Sequence, residues 1–395
     1  MNKQYFRFFI QRLKNLYHLF EAILANFFYR FPSKKIKIIG ITGTDGKTTT
    51  TQLIAHILRG NRKKVSYIST INANITGKNY DTGFHITTPS SFVIQKFIKQ
   101  AVDNQDEYFI LETTSHGLDQ NRVWGIRFEI GVLTNITHEH LDYHLNYLNY
   151  IKTKSKLLKM AKVAIVNKDD LSYQYIKNEK FKKKITYGKL KIINEINGLT
   201  EFNKYNYSAA YVVCKQLGLA DQQIIQAIKT FKLPKGRFEI VYDQDFKVII
   251  DFAHTPNAFE KLLPEVKKLV KKNSRLIHIF GCAGLRDFTK REKMGRISSL
   301  YSDYIILTEE DYRTESLKEI CNQIAQGIKN CRYQIVDNRY EAIKKGIMMA
   351  NKGDILLITG KGHERSLARG KKEYPWDEFR AVKKIIKNIK RNDFI

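Results

Sequence analysis

Gly43-Thr-Asp-Gly-Lys-Thr48 is the stretch whose residue types and spacing could hold phosphate. Gly43 and Gly46 would let the backbone curl with its N–H groups inward, and a following helix N-terminus would add positive potential. Lys47 would reach the outer phosphates of a nucleotide, and the Thr48 hydroxyl would hold Mg2+. The spacing is not the general Walker one, because Ile41 stands where the first glycine should fall. A tight glycine turn between two core elements is the alternative. Gly-Lys-Thr directly at a strand-to-helix junction favours the nucleotide.

Further along, Glu112 follows an apolar run in Leu111-Glu-Thr-Thr-Ser-His116. That places it at the carboxyl end of a strand, where α/β sheets hold their ligands, and a carboxylate there suits Mg2+. His138, His140 and His144 have the look of a transition-metal site, but the same spacing could simply order a loop, and zinc is disfavoured. Lys154 lies in a helical pattern opening at Tyr150. Lys235-Gly-Arg-Phe-Glu239, Asp251-Phe-Ala-His-Thr-Pro256, Gly281-Cys-Ala-Gly-Leu-Arg-Asp287 and Thr359-Gly-Lys-Gly-His-Glu364 each sit at a strand-to-loop junction. One such junction could be a turn with a buried histidine; four at one edge of one sheet argue for a site.

These residues need a scaffold, and the alternation of the chain supplies it. Strands are expected at Ile36–Ile41, Val65–Ile68, Tyr108–Leu111, Gly131–Leu133 and Val163–Val166, with helical patterns between. Alternation of this kind implies βαβ units and a mostly parallel sheet. Helical patterns at Asn206–Leu217 and Gln222–Phe231 close the region, and Leu233-Pro-Lys-Gly236 breaks it. A second series follows at Val248–Ile250, Leu276–Phe280, Tyr304–Leu307, Tyr333–Val336 and Ile355–Ile358. The expected architecture is α/β: an amphipathic helical segment over 1–33, a P-loop-type, mostly parallel domain over 34–232, and a Rossmann-like domain over 233–395. Two such domains offer a cleft for ligands.

The N-terminal segment carries Phe6, Phe9, Leu13, Leu16, Phe20, Leu24, Phe27 and Phe28, interrupted by Arg7, Arg12, Lys14, Glu21 and Arg30. No uncharged run approaches the roughly 20 residues that a membrane-spanning helix needs. A signal peptide is disfavoured too, since no small-residue cleavage site follows an apolar run. We expect residues 5–30 to be helical and to pack at least in part on the central domain, weak contact with a membrane surface being the rival.

Apolar residues at 43% and charged residues at 27% are those of a soluble globular protein. The excess of 68 Lys+Arg over 39 Asp+Glu leaves +29. Beyond the N-terminus those cations are scattered, with no basic block interleaved with stacking aromatics, which argues against nucleic acid. Cys214, Cys282, Cys321 and Cys331 lack paired metal-ligand spacing, so a cytosolic, disulfide-free chain is expected.

Taken in order, these stretches resemble the Mur ligases, the ATP-dependent amino-acid-adding enzymes of peptidoglycan synthesis, over about residues 34–395. Within that family the diamino-acid-adding branch is the nearest. Gly43-Thr-Asp-Gly-Lys-Thr-Thr49 matches the family's ATP loop. Thr87-Thr-Pro89, Glu112-x-x-Ser-His-Gly-Leu-Asp-Gln-x-Arg122, Thr134-Asn135, His140-Leu-Asp-Tyr-His144 and Lys154 match its central domain. Gly236-Arg-x-Glu239, Asp251-x-Ala-His-Thr-Pro256, Gly281-x-x-Gly-x-Arg-Asp287 and Gly360-Lys-Gly-His-Glu364 match its C-terminal domain. Two features depart from the pattern. Little chain precedes the ATP loop, where the family carries a domain gripping the uridine nucleotide. Only a short segment separates Thr186-Tyr-Gly188 from Phe202-Asn-x-Tyr-Asn206, where relatives carry more strands.

The resemblance implies roles. Gly43, Thr44, Asp45, Gly46, Lys47, Thr48 and Thr49, with Asn206, Arg237, Asp251 and His254, would bind ATP. Thr87, Thr88, Ser115, Gln120, Arg122, Arg286, Asp311, Arg313, Gly360 and Glu364 would bind substrate. Thr48, Glu112, His140 and a carbamylated Lys154 would serve Mg2+. Lys47, Glu112, His140 and Lys154 would be the catalytic set. Arg313 matches the arginine of the Asp-Asn-Pro-Arg motif of meso-diaminopimelate-adding relatives, while Asp311 and Tyr312 depart from its Asn and Pro. The expected activity is ATP-dependent addition of a diamino acid, meso-diaminopimelate rather than lysine or ornithine, to the D-glutamate of a UDP-MurNAc-dipeptide-like precursor. The enzyme is expected to be a cytoplasmic monomer. A Mur-type ligase acting on another muropeptide or glutamyl substrate without UDP recognition is the alternative. A non-catalytic basic binding protein is the rival of another class, and it would need none of Lys47, Glu112, His140 and Lys154.

Overall fold

The computed structural model describes residues 3–81, 87–137 and 139–392. It divides into two compact units, Met1–Lys232 and Leu233–Ile395. Of the expected site residues all are described; the neighbouring His138 lies outside the described residues.

The first unit is built on strands β1 (Lys37–Thr42), β2 (Val65–Ile68), β3 (Ala73–Ile75), β4 (Lys78–Tyr80), β5 (Tyr108–Glu112), β6 (Phe128–Leu133), β7 (Ala161–Asn167) and β8 (Lys184–Tyr187). They form one sheet in the order β4-β3-β2-β5-β1-β6-β7-β8. β1 sits in its middle, parallel to β5 on one side and β6 on the other. Ile38, Ile39 and Ile41 are fully buried, as a strand covered on both faces requires. The register sets Ile41 against Glu112 and Thr42 against Leu133. Three loops therefore leave the sheet side by side at its carboxyl edge.

Helix α1 (Lys3–Phe28) realises the expected N-terminal helix and packs against α3 (Ser91–Asp103); α2 (Lys47–Gly60) leaves β1 between them in sequence. Helix α1 packs on the first unit as expected, though not through its apolar side. Its small and polar face is turned inward: Ala22, Ala25 and Asn26 are buried. Asn26 Nδ2 donates to the Trp124 carbonyl at 2.8 Å, and Asn15 Nδ2 to Asp119 Oδ2 at 2.8 Å. Leu13, Leu16, Tyr17, Phe20, Leu24, Phe27 and Phe28 point outward and stay 51–72% exposed. Each forgoes roughly half or more of the ~1.5–3 kcal/mol that full burial would contribute. The polar anchors of the inward face, not the apolar residues, decide which side of this helix docks.

The remaining helices of the site are α4 (Ser115–Asp119), α5 (Leu141–His144) and α6 (Tyr147–Met160). α6 opens three residues before the expected Tyr150, because the Asn146 side chain caps it by accepting from Asn149 N at 2.9 Å. Such a cap is worth about 1 kcal/mol.

The second unit is a sheet of β9 (Glu239–Asp243), β10 (Lys247–Asp251), β11 (Leu276–Phe280), β12 (Tyr304–Leu307), β13 (Arg332–Ile335) and β14 (Ile355–Thr359). The order is β13-β12-β11-β14-β10-β9, with only β9 antiparallel among the paired strands. Val248, Ile250, Ile277, Ile279, Ile306, Leu356 and Ile358 fill one core beneath it. β15 (Ser366–Arg369) and β16 (Lys372–Pro375) make a separate hairpin.

Candidate active site

The loop between β1 and α2 is shaped by two glycines that no other residue could replace. A Cβ on Gly43 would lie 1.8 Å from Thr134 Oγ1, and one on Gly46 would lie 2.1 Å from Asn206 Oδ1. Gly46 is also left-handed, with φ +80°, and caps α2 without any side chain over the helix end. Lys47 Nζ folds back to the Thr44 carbonyl at 2.8 Å, across the loop. Asp45 N donates to Asn135 Oδ1 at 2.9 Å, and the Thr44 and Tyr150 hydroxyls meet at 3.2 Å. The loop is thus pinned from β6, α6 and the helix Glu201–Gln216, which carries Asn206.

Glu112, at the end of β5, is buried and faces the loop. Its carboxylate accepts from Thr48 Oγ1 at 3.0 Å, from Thr70 N at 2.8 Å and from Thr70 Oγ1 at 2.7 Å. These donors are neutral. A buried carboxylate with only neutral donors carries charge that a cation would balance. Thr70 did not stand out in the sequence; its signal is its place just past the end of β2. Thr70 Oγ1 also reaches Thr87 Oγ1 at 3.0 Å.

Lys154, in the middle of α6, is buried. Its Nζ donates to the Gly43 carbonyl at 2.6 Å and sits 4.6 Å from the centre of the Tyr150 ring. Burial, helped by repulsion from Lys47, holds the amine well below the usual lysine pKa. Glu139, Asp45 and Glu112 oppose that shift without overcoming it. Burial of this kind works against the charged ammonium and in favour of the neutral amine.

His140 takes a left-handed backbone, φ +55°, and its Nε2 lies 3.7 Å from Glu139 Oε2. Packing of the ring favours the neutral imidazole and lowers its pKa against the pull of Glu139; 39% of the side chain stays open to solvent, which moderates the effect. His116 stands edge-on to His140, with ring centres 5.0 Å apart, and 4.2 Å from the Tyr143 ring. His144 is buried with Nε2 unpartnered, and burial lowers its pKa to about 3. His116, Tyr143 and Tyr150 therefore complete an aromatic wall that spacing alone had left as an open choice between metal site and ordered loop.

The expected substrate residues of this unit gather beside α4. Thr88 Oγ1 accepts from Thr114 N at 2.9 Å, and Arg122 Nη1 donates to the Thr88 carbonyl at 2.6 Å. Ser115 Oγ, Gln120 Oε1 and Arg122 Nε are buried polar atoms without a hydrogen-bond partner. Buried polar atoms of this kind are satisfied by ordered water or by a bound polar group.

Among the described residues, no three His, Cys, Asp or Glu side chains converge as a ready-made metal cage. The available oxygens are Thr48 and Glu112. Such a donor set fits Mg2+, which keeps several waters and takes one or two protein oxygens.

In the second unit, Arg237, Asp251 and His254 surround the end of β10. The Asp251 carboxylate accepts from Phe238 N and Ala253 N, both at 2.7 Å. Burial raises its pKa, against the pull of Arg237 and those two amides. The Phe252 ring lies 4.6 Å under the Arg237 guanidinium, and the His254 and His363 rings are tilted against it at 4.7 and 4.8 Å. It occupies the variable place in Asp251-x-Ala-His, so the motif gave no reason to single it out.

Asp311, Arg313, Gly360 and Glu364 gather at the ends of β12 and β14, and Arg286 is exposed on the loop after β11. Lys361 is the residue sequence reasoning missed here. Wholly buried, it pairs with Asp311 at 2.8 Å and Glu364 at 2.6 Å. Asp311 also accepts from Ala368 N at 2.9 Å. The carboxylate that departs from the family's Asn is therefore neutralised inside the fold. Arg313 is left-handed, φ +53°, and its Nη1 donates to the carbonyls of Gly284 at 2.9 Å and Asp311 at 3.2 Å. Its guanidinium is oriented by dipoles instead of by a carboxylate.

Comparison with known proteins identifies the family. Residues 41–210 match the Mur ligase middle domain, and residues 236–362 match the Mur ligase glutamate ligase domain. UDP-N-acetylmuramoyl-L-alanyl-D-glutamate--2,6-diaminopimelate ligase 1 of Clostridium acetobutylicum is 38% identical, over 93% of this chain and 82% of the relative. A solved 2,6-diaminopimelate ligase of that name superposes with a TM-score of 0.57 at 27% identity, over 90% of this chain and 79% of its own. E. coli FolC with ADP shares the fold, with a TM-score of 0.71 at 17% identity over 95% of both chains. With the Gly43–Thr49 loop, Glu112 and Lys154 in one matched domain and most of the unit-two motifs in the other, the chain belongs to the Mur ligase family.

Proposed function

We propose that the chain is an ATP-dependent carbon–nitrogen ligase that adds 2,6-diaminopimelate to the D-glutamate of a UDP-MurNAc-dipeptide in peptidoglycan precursor synthesis. It acts in the cytosol as a monomer. ATP transfers its terminal phosphoryl group to the free γ-carboxylate of D-glutamate, giving an acyl phosphate and ADP. The amine of the incoming amino acid attacks that carbonyl, an amide forms, and inorganic phosphate and a proton leave.

Lys154 carries this reading. A buried, pKa-lowered amine 2.6 Å from the phosphate loop is of no use to a simple nucleotide binder. As a free amine it can attack CO2, forming an N–C bond and releasing a proton, and the resulting carbamate is an oxygen-bearing anion. Only on the order of one in a thousand lysines is neutral near pH 7 at an ordinary pKa, so lowering that pKa favours the product. The carbamate, Glu112, Thr48 and His140 would hold Mg2+, which supplies charge neutralisation at the transferring phosphoryl group.

The rest falls to the protein's own groups. Lys47 moves from the Thr44 carbonyl to the outer phosphates. The N-terminus of α2 and Gly43–Thr49 receive the phosphate oxygens, with Asn206 holding the loop. Asp251, Arg237 and His254 bind the nucleotide. Thr87, Thr88, Ser115, Gln120 and Arg122 position the precursor. Arg313 takes the distal carboxylate of diaminopimelate, with Arg286, Asp311, Gly360 and Glu364 around it.

The test is ATP turnover by the purified protein with UDP-MurNAc-dipeptide, the same dipeptide without UDP, and each candidate amino acid, singly and in pairs. Phosphate release should require both the nucleotide precursor and diaminopimelate. Turnover only with the UDP-free acceptor would overturn the substrate assignment, and no turnover with any pair would overturn the activity.

A further inference from the structure

Helix α1 presents an apolar ridge that stays more than half exposed among the described residues. Leu13, Leu16, Tyr17, Phe20, Leu24, Phe27 and Phe28 recur at helical spacing over about 22 Å of helix. At 100° per residue they fill an arc of roughly 120°, opposite the half-buried Asn15 and the buried Ala22, Ala25 and Asn26. The helix is held in that orientation by the anchors Asn15 to Asp119 and Asn26 to the Trp124 carbonyl. Its ridge is therefore fixed outward and does not arise from a loosely tethered tail. On the wheel, Arg12 borders the ridge on one side and Lys14 lies on the other, beyond the half-buried Glu21; Arg30 follows just past the helix end, and all three cations are exposed. Lys34 and Lys35 follow at its end, exposed as well.

We propose that this ridge seats on the surface of an anionic phospholipid bilayer. An apolar stripe bordered by cations is the form that lies in a membrane interface, with rings and leucines below the headgroups and the cations at their level. No helix of the described residues is long and apolar enough to cross a membrane, so the contact is a surface one. Charge chooses the occupant. The chain carries +29. A second copy would bring the same sign to the same ridge, whereas an anionic lipid surface attracts it.

The test is flotation of the full chain with phosphatidylglycerol-containing vesicles and with pure phosphatidylcholine vesicles. The wild type should float with the anionic vesicles and much less with the neutral ones. Phe20→Gln/Phe27→Gln should lower the bound fraction about tenfold or more with ATP turnover unchanged, since both side chains lie outside the site. Arg12→Glu/Lys14→Glu/Arg30→Glu should abolish the preference for anionic lipid. Should the double variant fail to fold, Phe20→Gln alone replaces it. Three results each overturn the proposal: no flotation of folded wild type with anionic vesicles, flotation unaffected by the ridge substitutions, or a solution dimer that those substitutions dissociate.

Discussion

The amine of Lys154 lies 2.6 Å from the carbonyl oxygen of Gly43, so the buried lysine is fastened to the backbone of the loop that would receive phosphate. One atom thus serves both the helix that carries it and the loop it faces. Lys154→Ala should lose ATP-dependent ligation by at least about 100-fold, and short carboxylates added at high concentration should restore part of it. Wild-type activity should fall on exhaustive removal of CO2 and bicarbonate. An Ala variant with ordinary activity would remove the carbamate from the mechanism.

The same lysine sets a pH dependence of stability. Its folded-state pKa lies below the ordinary 10.5, so between those values the unfolded chain binds a proton that the folded one does not. Stability should therefore rise with pH up to about the unfolded pKa. In CO2-free buffer, Lys154→Met should flatten this part of the stability–pH curve. A slope left unchanged would show that the amine is already charged in the fold.

Glu112→Gln keeps the shape of the side chain and removes its charge. An amide nitrogen would then face donors from Thr48 and Thr70, costing about 1–3 kcal/mol of stability. The Mg2+ concentration for half-maximal turnover should rise by at least about tenfold. Thermal unfolding and a Mg2+ titration of phosphate release read the two effects separately. An unshifted Mg2+ midpoint would assign Glu112 to the fold alone.

For the amino acid, Arg313→Asn is the informative change, since Asn tolerates the left-handed backbone that Arg313 adopts. Losing a charge-assisted bond worth about 2 kcal/mol should lower kcat/KM for diaminopimelate roughly 30-fold. Lysine, lacking the distal carboxylate, should be affected little. Equal losses for both amino acids would point to a structural part for Arg313.

Asp119 gives a prediction about the N-terminal helix. Burial would raise its pKa, yet bonds from Asn15, Tyr143 and Lys156 prevail and lower it. A depressed carboxylate contributes stability above its unfolded pKa, and that stability is lost as pH falls through the folded value. Asn15→Ala should therefore destabilise the protein by about 1 kcal/mol near neutrality and move acid unfolding to higher pH. An acid titration followed by circular dichroism measures both.

Much of the scaffold is legible in the chain because buried parallel strands announce themselves as runs of mostly aliphatic and aromatic residues. Ile36–Ile41, Tyr108–Leu111 and Leu276–Phe280 are of this kind, and each lies in or overlaps a strand. The short polar strands at Ala73–Ile75 and Lys78–Tyr80, and the edge strand Lys184–Tyr187, carry no such run and were not foreseen. Among site residues, those in motifs could be named, but their partners could not. Thr70 and Lys361 act through contacts with Glu112 and Asp311 that only tertiary pairing creates. The inward face of α1 is not legible for a related reason: periodicity identifies an apolar side, while Asn15 and Asn26 find their acceptors only in the fold.

The close approach of Gly46 to Asn206 bears on the order in which the protein assembles. The loop at position 46 is complete only once the helix at position 206 has returned to it, after nearly the whole first unit has been synthesised and folded. Contacts so distant along the chain form late, because loop closure must precede them. During refolding, nucleotide binding should then lag behind the recovery of sheet and helix signals. A partly made chain ending before Glu201 would possess the phosphate loop's residues without its shape.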